Sequence, residues 1–151
     1  MKILLAIDGS NCSNAAVEAL VTQYKPQDTE VLVVNVVESE KLMPVTYGFG
    51  TGPVFAESYM AIVQQWRTEG EKLVGDVANR LQSVGFKAST SVEEGDARER
   101  ILDSSEKWRP NVIVVGSHGR RGIDRLLLGS VSEAIARHAS CSVEIVRAKA
   151  A

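Results

Sequence analysis

Short apolar runs alternate along this chain with longer stretches in which apolar residues recur at three- and four-residue spacing. The clearest runs cover residues 2–7, 31–37 and 112–115. Such runs are typical of strands covered on both faces, whereas the wider spacing is typical of amphipathic helices. Regular alternation of the two patterns indicates an α/β fold with a parallel sheet, right-handed crossovers and helices on both faces.

Two further segments complete a five-stranded sheet. Residues 88–92 alternate apolar and polar side chains, as expected near a sheet margin, and residues 142–146 supply a final strand before a polar tail. We therefore expect a doubly wound α/β sandwich in which four helices separate five parallel strands.

The first helix is predicted to follow the turn Asp8-Gly9-Ser10. We expect Ser13 to cap this helix, because a serine side chain accepts hydrogen bonds from the first free amides. Cys12, Ala16 and Leu20 recur at four-residue spacing, which predicts a narrow buried stripe of mostly small side chains. Small residues on that stripe would let the helix approach the sheet closely.

The later helices are predicted from the same periodicity. One long amphipathic helix is expected over residues 62–81, with Trp66 in the core, and two shorter helices over 101–108 and 130–138. Residues 38–55 are rich in proline and glycine, so we predict an irregular loop there.

Length and composition bound the class of protein. The chain has 151 residues, of which 44% are hydrophobic and 24% charged, so we expect residues 1–151 to form one independently folding domain. A net charge of -2 gives no broad positive field, which disfavours nucleic acid and anionic membranes as partners. No run is long enough for a membrane span or a signal-peptide core, and we expect a cytoplasmic location.

The two cysteines, Cys12 and Cys141, lie far apart in the sequence. They form neither a CxxC redox pair nor a zinc motif, so we predict no metal site and two reduced thiols. A catalytic group is not predicted either. His118 has no evident orienting partner, and an isolated loop histidine of this kind is more often exposed than catalytic.

Two turns are predicted to meet at one edge of the sheet. Asp8 and Gly116 each follow a buried strand, and the carboxyl ends of parallel strands share an edge where ligands bind in open α/β sheets. If the first and fourth strands are neighbours at the point where the strand order reverses, these turns form opposite walls of one crevice.

The most distinctive motif begins at Gly116. Gly116-Ser117-His118-Gly119 is followed by nine residues and then by Gly129-Ser130 at a predicted helix start. Glycines let backbone amides approach phosphate oxygens, and a helix amino terminus adds partial positive charge. From the residues alone, phosphate binding and simple turn formation remain equally open.

Two large nucleotide-binding classes are disfavoured by the motifs that are missing. The chain contains neither GxxxxGK[ST] nor a GxGxxG directly after the first strand. A P-loop NTPase and a dinucleotide-dependent dehydrogenase are therefore not expected.

The spaced glycines, together with the apolar strand before them, resemble the nucleotide-binding signature of the universal stress protein family. Asp8-Gly9-Ser10, the run over 31–37 and Gly95 match the family as well, so the resemblance covers essentially the whole chain. It implies a sheet order of 3-2-1-4-5 and an ATP-binding type of protein. It also implies a homodimer joined through the last strand, Ser142–Val146.

The resemblance further implies which residues hold the ligand, with Asp8 near the ribose, the backbone around Val36 at the adenine edge and the glycine loop around ribose and phosphates. The implied binding residues are Ala6, Asp8, Val36, Val115, Gly116, Ser117, Gly119, Arg120, Gly129, Ser130, Val131 and Ser132. The implied ligand is ATP, or ADP or AMP, and magnesium could accompany it. A regulatory binding protein is the favoured function, with a slow ATP hydrolase and a dimeric scaffold that binds no nucleotide as alternatives.

Overall fold

The computed structural model describes residues 1–42, 52–119 and 127–149. Its strands are β1 (Lys2–Ala6), β2 (Glu30–Val37), β3 (Lys87–Glu94), β4 (Val112–Gly116) and β5 (Ser142–Val146). Its α-helices are α1 (Asn11–Gln23), α2 (Pro53–Ser83), α3 (Ala97–Trp108) and α4 (Ser130–His138), and short 3-10 helices cover Pro26–Asp28 and Ser39–Leu42.

The five strands form one sheet in the order β3-β2-β1-β4-β5, and every neighbouring pair is parallel. This confirms the predicted α/β class and strand order. β1 lies between β2 and β4, so the strand order reverses between β1 and β4. The turns after these two strands therefore begin at the same edge of the sheet, as predicted.

Alternating side chains of β1 explain why its sequence is an unbroken apolar run. Ile3, Leu5 and Ile7 pack into a core shared with α1 and α2, whereas Leu4 and Ala6 pack into a second core shared with α3 and α4. The sheet is thus covered by two helices on each face. Burial on both faces accounts for apolar side chains at every position from Ile3 to Ile7.

The start of α1 differs from the prediction. Ser10 is the residue that caps this helix, and its Oγ accepts a hydrogen bond from the Ser13 amide at 3.2 Å. Ser13 lies inside the helix and is itself buried. The predicted stripe was also wrong at Cys12, which is half-buried, while Val17 joins Ala16 and Leu20 in the core.

Helix α2 is longer than predicted. It begins at Pro53, a residue favoured in the first turn because its missing N–H needs no partner there, and it runs to Ser83. The loop predicted over 38–55 is therefore wrong at both ends, since Ser39–Leu42 forms a 3-10 helix. The part of that loop at residues 43–51 lies outside the described residues.

Helix α2 packs closely against β2 near the edge of the sheet where the turns after β1 and β4 begin. A Cβ atom on Gly70 would come within 2.6 Å of Asn35 Oδ1, so a larger residue there would have to displace the Asn35 side chain. Asn35 is 8% exposed, and its Nδ2 donates to the Ile7 carbonyl oxygen at 2.8 Å.

In the described ranges, no helix combines the length and apolar character that crossing a bilayer requires.

Candidate functional site: a cavity at the carboxyl edge of the sheet

A cavity of about 550 Å³ lies at the carboxyl edge of the sheet, around the end of β1. Residues from β1, β2 and β4, from the turns that follow them, and from α2, α3 and α4 line it. Its size falls in the range of small-molecule sites, roughly 300–1,000 Å³. Ligand binding at this location is the general expectation for open parallel sheets.

The turn after β1 is held by a compact set of hydrogen bonds. Asp8 Oδ1 accepts from the Ser10 amide at 3.0 Å, and Ser13 Oγ accepts from the Gly9 amide at 3.2 Å. Gly9 has a φ of 78°, a conformation that side chains disfavour. Ser10 Oγ donates to the carbonyl oxygen of His118 at 3.3 Å, so this turn is bonded directly to the glycine loop.

The glycines of the loop serve different purposes. A Cβ atom on Gly116 would come within 2.7 Å of the Cys12 carbonyl carbon, so Gly116 permits α1 to pack against the end of β4. A Cβ atom on Gly119 would come within 2.8 Å of Asp8 Oδ2, so a larger residue there would have to displace the Asp8 carboxylate.

The amino end of α4 faces the same cavity. The Gly129 amide donates to the Ser117 carbonyl oxygen at 2.8 Å, and Ser132 Oγ donates to the same oxygen at 2.9 Å. Gly129 precedes the helix and provides no side-chain cap. The first amides of a helix have no intrahelical acceptor and carry a partial positive charge, so this end of α4 is suited to an anion.

A chain of polar side chains runs behind the loop. Ser117 Oγ lies 3.1 Å from His118 Nδ1 and donates to Cys12 Sγ at 3.6 Å. Burial favours the neutral thiol of Cys12. Three hydrogen bonds outweigh burial and the charge of Asp8, and they come from the Ala148 backbone, the Ser117 hydroxyl and the His118 backbone. The pKa of Cys12 therefore lies below its ordinary value.

Sequence comparisons identify the family of this chain. The model of the universal stress protein family matches residues 1–147. The chain belongs to the universal stress protein family. It is 32% identical over 148 residues to Universal stress protein YxiE of Bacillus subtilis (strain 168), covering 97% of this chain and 98% of that protein. It is 30% identical over 146 residues to a universal stress protein of Methanocaldococcus jannaschii, covering 97% and 81% respectively.

Solved structures show the same fold. The chain superposes on the hypothetical protein MJ0577 with a TM-score of 0.84 at 23% identity, covering 99% of this chain and 97% of that one. A family protein of Arabidopsis thaliana with AMP bound gives a TM-score of 0.68 at 20% identity, covering 99% and 93%. A universal stress protein in complex with cAMP gives 0.61 at 16% identity, covering 99% and 98%.

Most of the residues assigned from the family resemblance meet at the cavity. Those that line it are Ala6, Asp8, Val36, Val115, Gly116, Gly119, Gly129, Ser130, Val131 and Ser132. Ser117 is 1% exposed and lies behind the cavity wall, where its amide donates to the Val146 carbonyl oxygen at 2.8 Å. Arg120 lies outside the described residues.

The sequence analysis missed the wall that α2 contributes. Trp66, predicted to be a core residue, is half-buried and lines the cavity together with Glu69 and Leu73. Asn35 lines it too, and its position as the single polar residue in an apolar strand was the available signal. His118, expected to be exposed, is half-buried and lines the opposite wall.

Among the described residues that line this cavity, charged groups are few and mostly acidic. Asp8, Glu38 and Glu69 line it together with Lys41, which forms an ion pair with Glu38. Within the described part of the chain, no group of three or more His, Cys, Asp or Glu side chains is placed to hold a metal ion. Backbone amides and hydroxyl groups are therefore the main anion-binding groups that the structure brings together here.

Proposed function

We propose that this member of the universal stress protein family is an adenine-nucleotide-binding regulatory protein whose ligand is ATP. The observation that carries the proposal is the amino end of α4, which opens without a side-chain cap into a cavity edged by Gly119 and Gly129. Uncapped helix amides beside glycines bind phosphate groups in many nucleotide sites.

We assign a different region of the cavity to each part of the nucleotide. In our proposal the phosphates lie against the amides of Ser130 and Val131, and the Ser130 hydroxyl donates to them. The ribose hydroxyls lie near the Asp8 carboxylate, which can accept hydrogen bonds from them. The base lies against the apolar wall formed by Ala6 and Val36, where backbone groups of β2 can bond its edge.

Two structural neighbours support an adenine nucleotide as the ligand class. The Arabidopsis thaliana protein holds AMP and another universal stress protein holds cAMP, although both are distant in sequence. We favour ATP because the first amides of α4, together with the Ser130 hydroxyl, offer donors for more than one phosphate. Magnesium would then be bound mainly by the phosphates.

The groups at the described part of the site support a regulatory role. Phosphoryl transfer needs cations or metal ligands placed on the transferred group, and the described cavity offers mainly backbone donors. Ligand binding alone stabilises the bound conformation by mass action and can order neighbouring segments. We propose that nucleotide occupancy, rather than turnover, is the signal that this protein provides.

We also propose that the protein acts as a homodimer. β5 is the last strand of the sheet and pairs only with β4 among the described strands. Its free edge can join the same edge of a second copy across a two-fold axis. Sedimentation equilibrium tests this directly, since a dimer requires twice the mass of the chain and a monomer contradicts the proposal.

Nucleotide binding is tested first on the protein as isolated. Acid extraction followed by chromatography should release ATP, ADP or AMP in a fixed ratio to protein. Adding millimolar ATP to nucleotide-free protein should raise the melting temperature, because the ligand binds the native state only. Protein that carries no nucleotide and shows no shift would instead be a scaffold whose glycines form turns.

A further inference from the structure

The cavity reaches both faces of the sheet at the end of β2. Val34 and Val36 belong to the core on the face covered by α3 and α4, and successive residues of a strand point to opposite faces. Asn35 therefore points to the face covered by α2. The residues of α2 that line the cavity there are Trp66, Glu69, Gly70 and Leu73. We call the space between Asn35 and these four residues the α2 pocket, and it lies across β2 from the wall where we place the base.

The Asn35 side chain brings an unused hydrogen-bond acceptor to the α2 pocket. Asn35 is 8% exposed, and its Nδ2 donates to the Ile7 carbonyl oxygen at 2.8 Å. Because that carbonyl only accepts, the bond fixes which end of the Asn35 amide is nitrogen and which is oxygen. No described residue donates a hydrogen bond to Oδ1. Buried polar atoms are nearly always hydrogen-bonded, so the donor for Oδ1 comes from outside the chain.

Asn35 Oδ1 is accessible from the α2 pocket. Among the described residues, the side-chain atom that is both fully enclosed and without a partner is His118 Nε2, so Oδ1, which also has no donor, keeps exposed surface. Gly70 lines the pocket and leaves this oxygen uncovered, since a Cβ atom at residue 70 would come within 2.6 Å of Oδ1. The missing side chain on α2 thus leaves a path from the pocket to Oδ1.

The charges around the α2 pocket favour a positively charged donor. Glu69 lines the pocket, and its Oε1 accepts from Gln65 Nε2 at 3.1 Å, a neutral partner that leaves the negative charge uncompensated. Among the described lining residues, Lys41 is the one lysine or arginine, and it is paired with Glu38. An ammonium group donates charge-assisted hydrogen bonds to such oxygens, which are stronger than those from a neutral donor.

The remaining wall of the α2 pocket is aromatic and apolar. Trp66 is half-buried, and Leu73 packs against the core beneath α2. The face of a tryptophan ring attracts an ammonium ion that lies within about 6 Å of the ring centre. Aromatic and aliphatic side chains also bury the apolar part of a ligand. The pocket therefore offers an acceptor, a negative charge and an apolar wall to one ligand.

We infer that the α2 pocket is a second ligand site, which takes a small organic ammonium ion with an apolar body. The ammonium group donates to Asn35 Oδ1 beside the Glu69 carboxylate, and the apolar body lies against Trp66 and Leu73. This site goes beyond the proposed function and does not rest on it, because the α2 pocket and the wall assigned to the base lie on opposite faces of β2.

Three probes of similar shape test the charge of the ligand. Phenethylamine carries an ammonium group, phenethyl alcohol a neutral hydroxyl group and hydrocinnamate a carboxylate. The chain has two tryptophans, and Trp108 lies against Lys2 at the far edge of the sheet, so Trp108→Phe leaves Trp66 as the fluorescent reporter.

Fluorescence titration of Trp108→Phe gives the first readout. We expect phenethylamine to cause a saturable change at about millimolar concentration, which is typical of so small a ligand. Phenethyl alcohol should bind about tenfold more weakly, because its hydrogen bond is not charge-assisted. Hydrocinnamate should cause no saturable change, since its carboxylate would meet Glu69 and an acceptor.

Substitutions in the Trp108→Phe protein locate the site. Asn35→Leu keeps the shape of the side chain and removes Oδ1, so it should weaken phenethylamine binding about tenfold. Glu69→Gln keeps the size and removes the charge, and it should weaken binding about threefold. Glu71→Gln is the matched control, because Glu71 is exposed on the same helix and pairs with Arg67. Thermal unfolding checks the fold, and the two exposed glutamate positions decide the result if Asn35→Leu is unfolded.

The outcomes distinguish this inference from the proposed function. Phenethylamine should bind with undiminished affinity at saturating ATP, and its complete displacement by ATP would make the α2 pocket part of the nucleotide site and overturn the inference. It is overturned too if phenethylamine gives no saturable change, if the alcohol binds as tightly, or if Glu69→Gln and Glu71→Gln bind equally. Protein that binds phenethylamine but no nucleotide overturns the proposed function alone.

Discussion

Gly116 in β4 lies directly against Cys12 in α1, so closely that a Cβ atom on residue 116 would meet the Cys12 carbonyl carbon at 2.7 Å and the Ser13 amide nitrogen at 2.8 Å. Both neighbours are backbone atoms and cannot rotate away. The first glycine of the motif Gly116-x-x-Gly119 is therefore required by helix packing, and it holds the turn after β1 in place beside the cavity.

Replacing Gly116 with alanine should destabilise the fold. We expect Gly116→Ala to lower the free energy of unfolding by about 1–3 kcal/mol, the usual effect of overpacking a close contact. Urea unfolding followed by circular dichroism measures this change.

Gly75→Ala is the matched control for Gly116→Ala. Gly75 lies within α2, and a Cβ atom there meets nothing within 4 Å. Alanine is the better helix former, so this variant should gain up to about 1 kcal/mol. If both variants were equally stable, the close packing of β4 on α1 would be wrong.

Charge at residue 129 should control ligand affinity without unfolding the protein. Asp and Asn are both good residues at the start of a helix, and both place a Cβ atom 3.1 Å from the Ser117 carbonyl oxygen. Only Gly129→Asp adds a negative charge where we place the phosphates. We expect it to bind ATP at least about tenfold more weakly than Gly129→Asn does.

Equilibrium dialysis measures both affinities, and thermal unfolding checks that both variants fold. Equal ATP affinity in the two variants would place the phosphates somewhere other than the amino end of α4.

The hydrogen bond between Tyr24 and Glu144 should make stability fall at high pH. Tyr24 Oη donates to Glu144 Oε2 at 2.7 Å, and burial, with this bond and the carboxylate charge, raises the pKa of Tyr24 to about 12. An unfolded tyrosine has a pKa of about 10. The folded state thus holds the Tyr24 proton more tightly than the unfolded state does. The contribution of this bond to the free energy of unfolding is therefore complete below about pH 10 and is lost as pH rises toward 12.

Urea unfolding between pH 8 and pH 11 tests this window. Tyr24→Phe should be less stable by about 1 kcal/mol at pH 8 and should lose the decline that Tyr24 causes. Glu144→Gln keeps an acceptor but removes the negative charge, so absorbance titration at 295 nm should show a lower pKa for Tyr24. An unchanged pH profile in Tyr24→Phe would count against the bond.

Cys12 should react as a thiolate at lower pH than an ordinary cysteine. The hydrogen bonds that hold its pKa down outweigh burial, and the thiolate is the form that iodoacetamide alkylates. In Cys141→Ser, Cys12 is the remaining thiol, and its alkylation rate should reach half-maximum below the pH found for free cysteine. Adding Ser117→Ala should raise that midpoint, because one donor is removed.

A midpoint at or above that of free cysteine would contradict this arrangement of donors around Cys12. The reciprocal variant, Cys12→Ser, reports on Cys141 alone and gives the background rate for the folded protein.

The sheet could be predicted from sequence because burial on both faces leaves a strong pattern. The strands β1, β2 and β4 are continuous apolar runs, and their alternation with helices restricts the topology to few choices. The strand order itself came from the family resemblance. Helix ends were less predictable, because Ser10 acts through a local hydrogen bond and Pro53 through its fixed backbone angle, and hydrophobic periodicity reports neither.

The cavity was predicted along the turns after β1 and β4 but not along α2. Its loop wall carries a glycine motif, so its residues could be named from the sequence. The wall from α2 could not, because Trp66 and Glu69 become part of the cavity only when Gly70 lets the helix lie against Asn35. The His118 backbone is likewise held by a hydrogen bond from Ser10, 108 residues away in the chain.

The central claim is that an adenine nucleotide binds at the carboxyl edge of the sheet with its phosphates on the amino end of α4. Amide chemical-shift mapping of the nitrogen-15-labelled protein, titrated with ATP, tests this most directly. We predict saturable shifts at Gly119, Ser130 and Val131, with no shift at Lys2 and Val112 on the opposite edge. Saturating ATP that leaves the amides of Ser130 and Val131 unmoved would contradict the account.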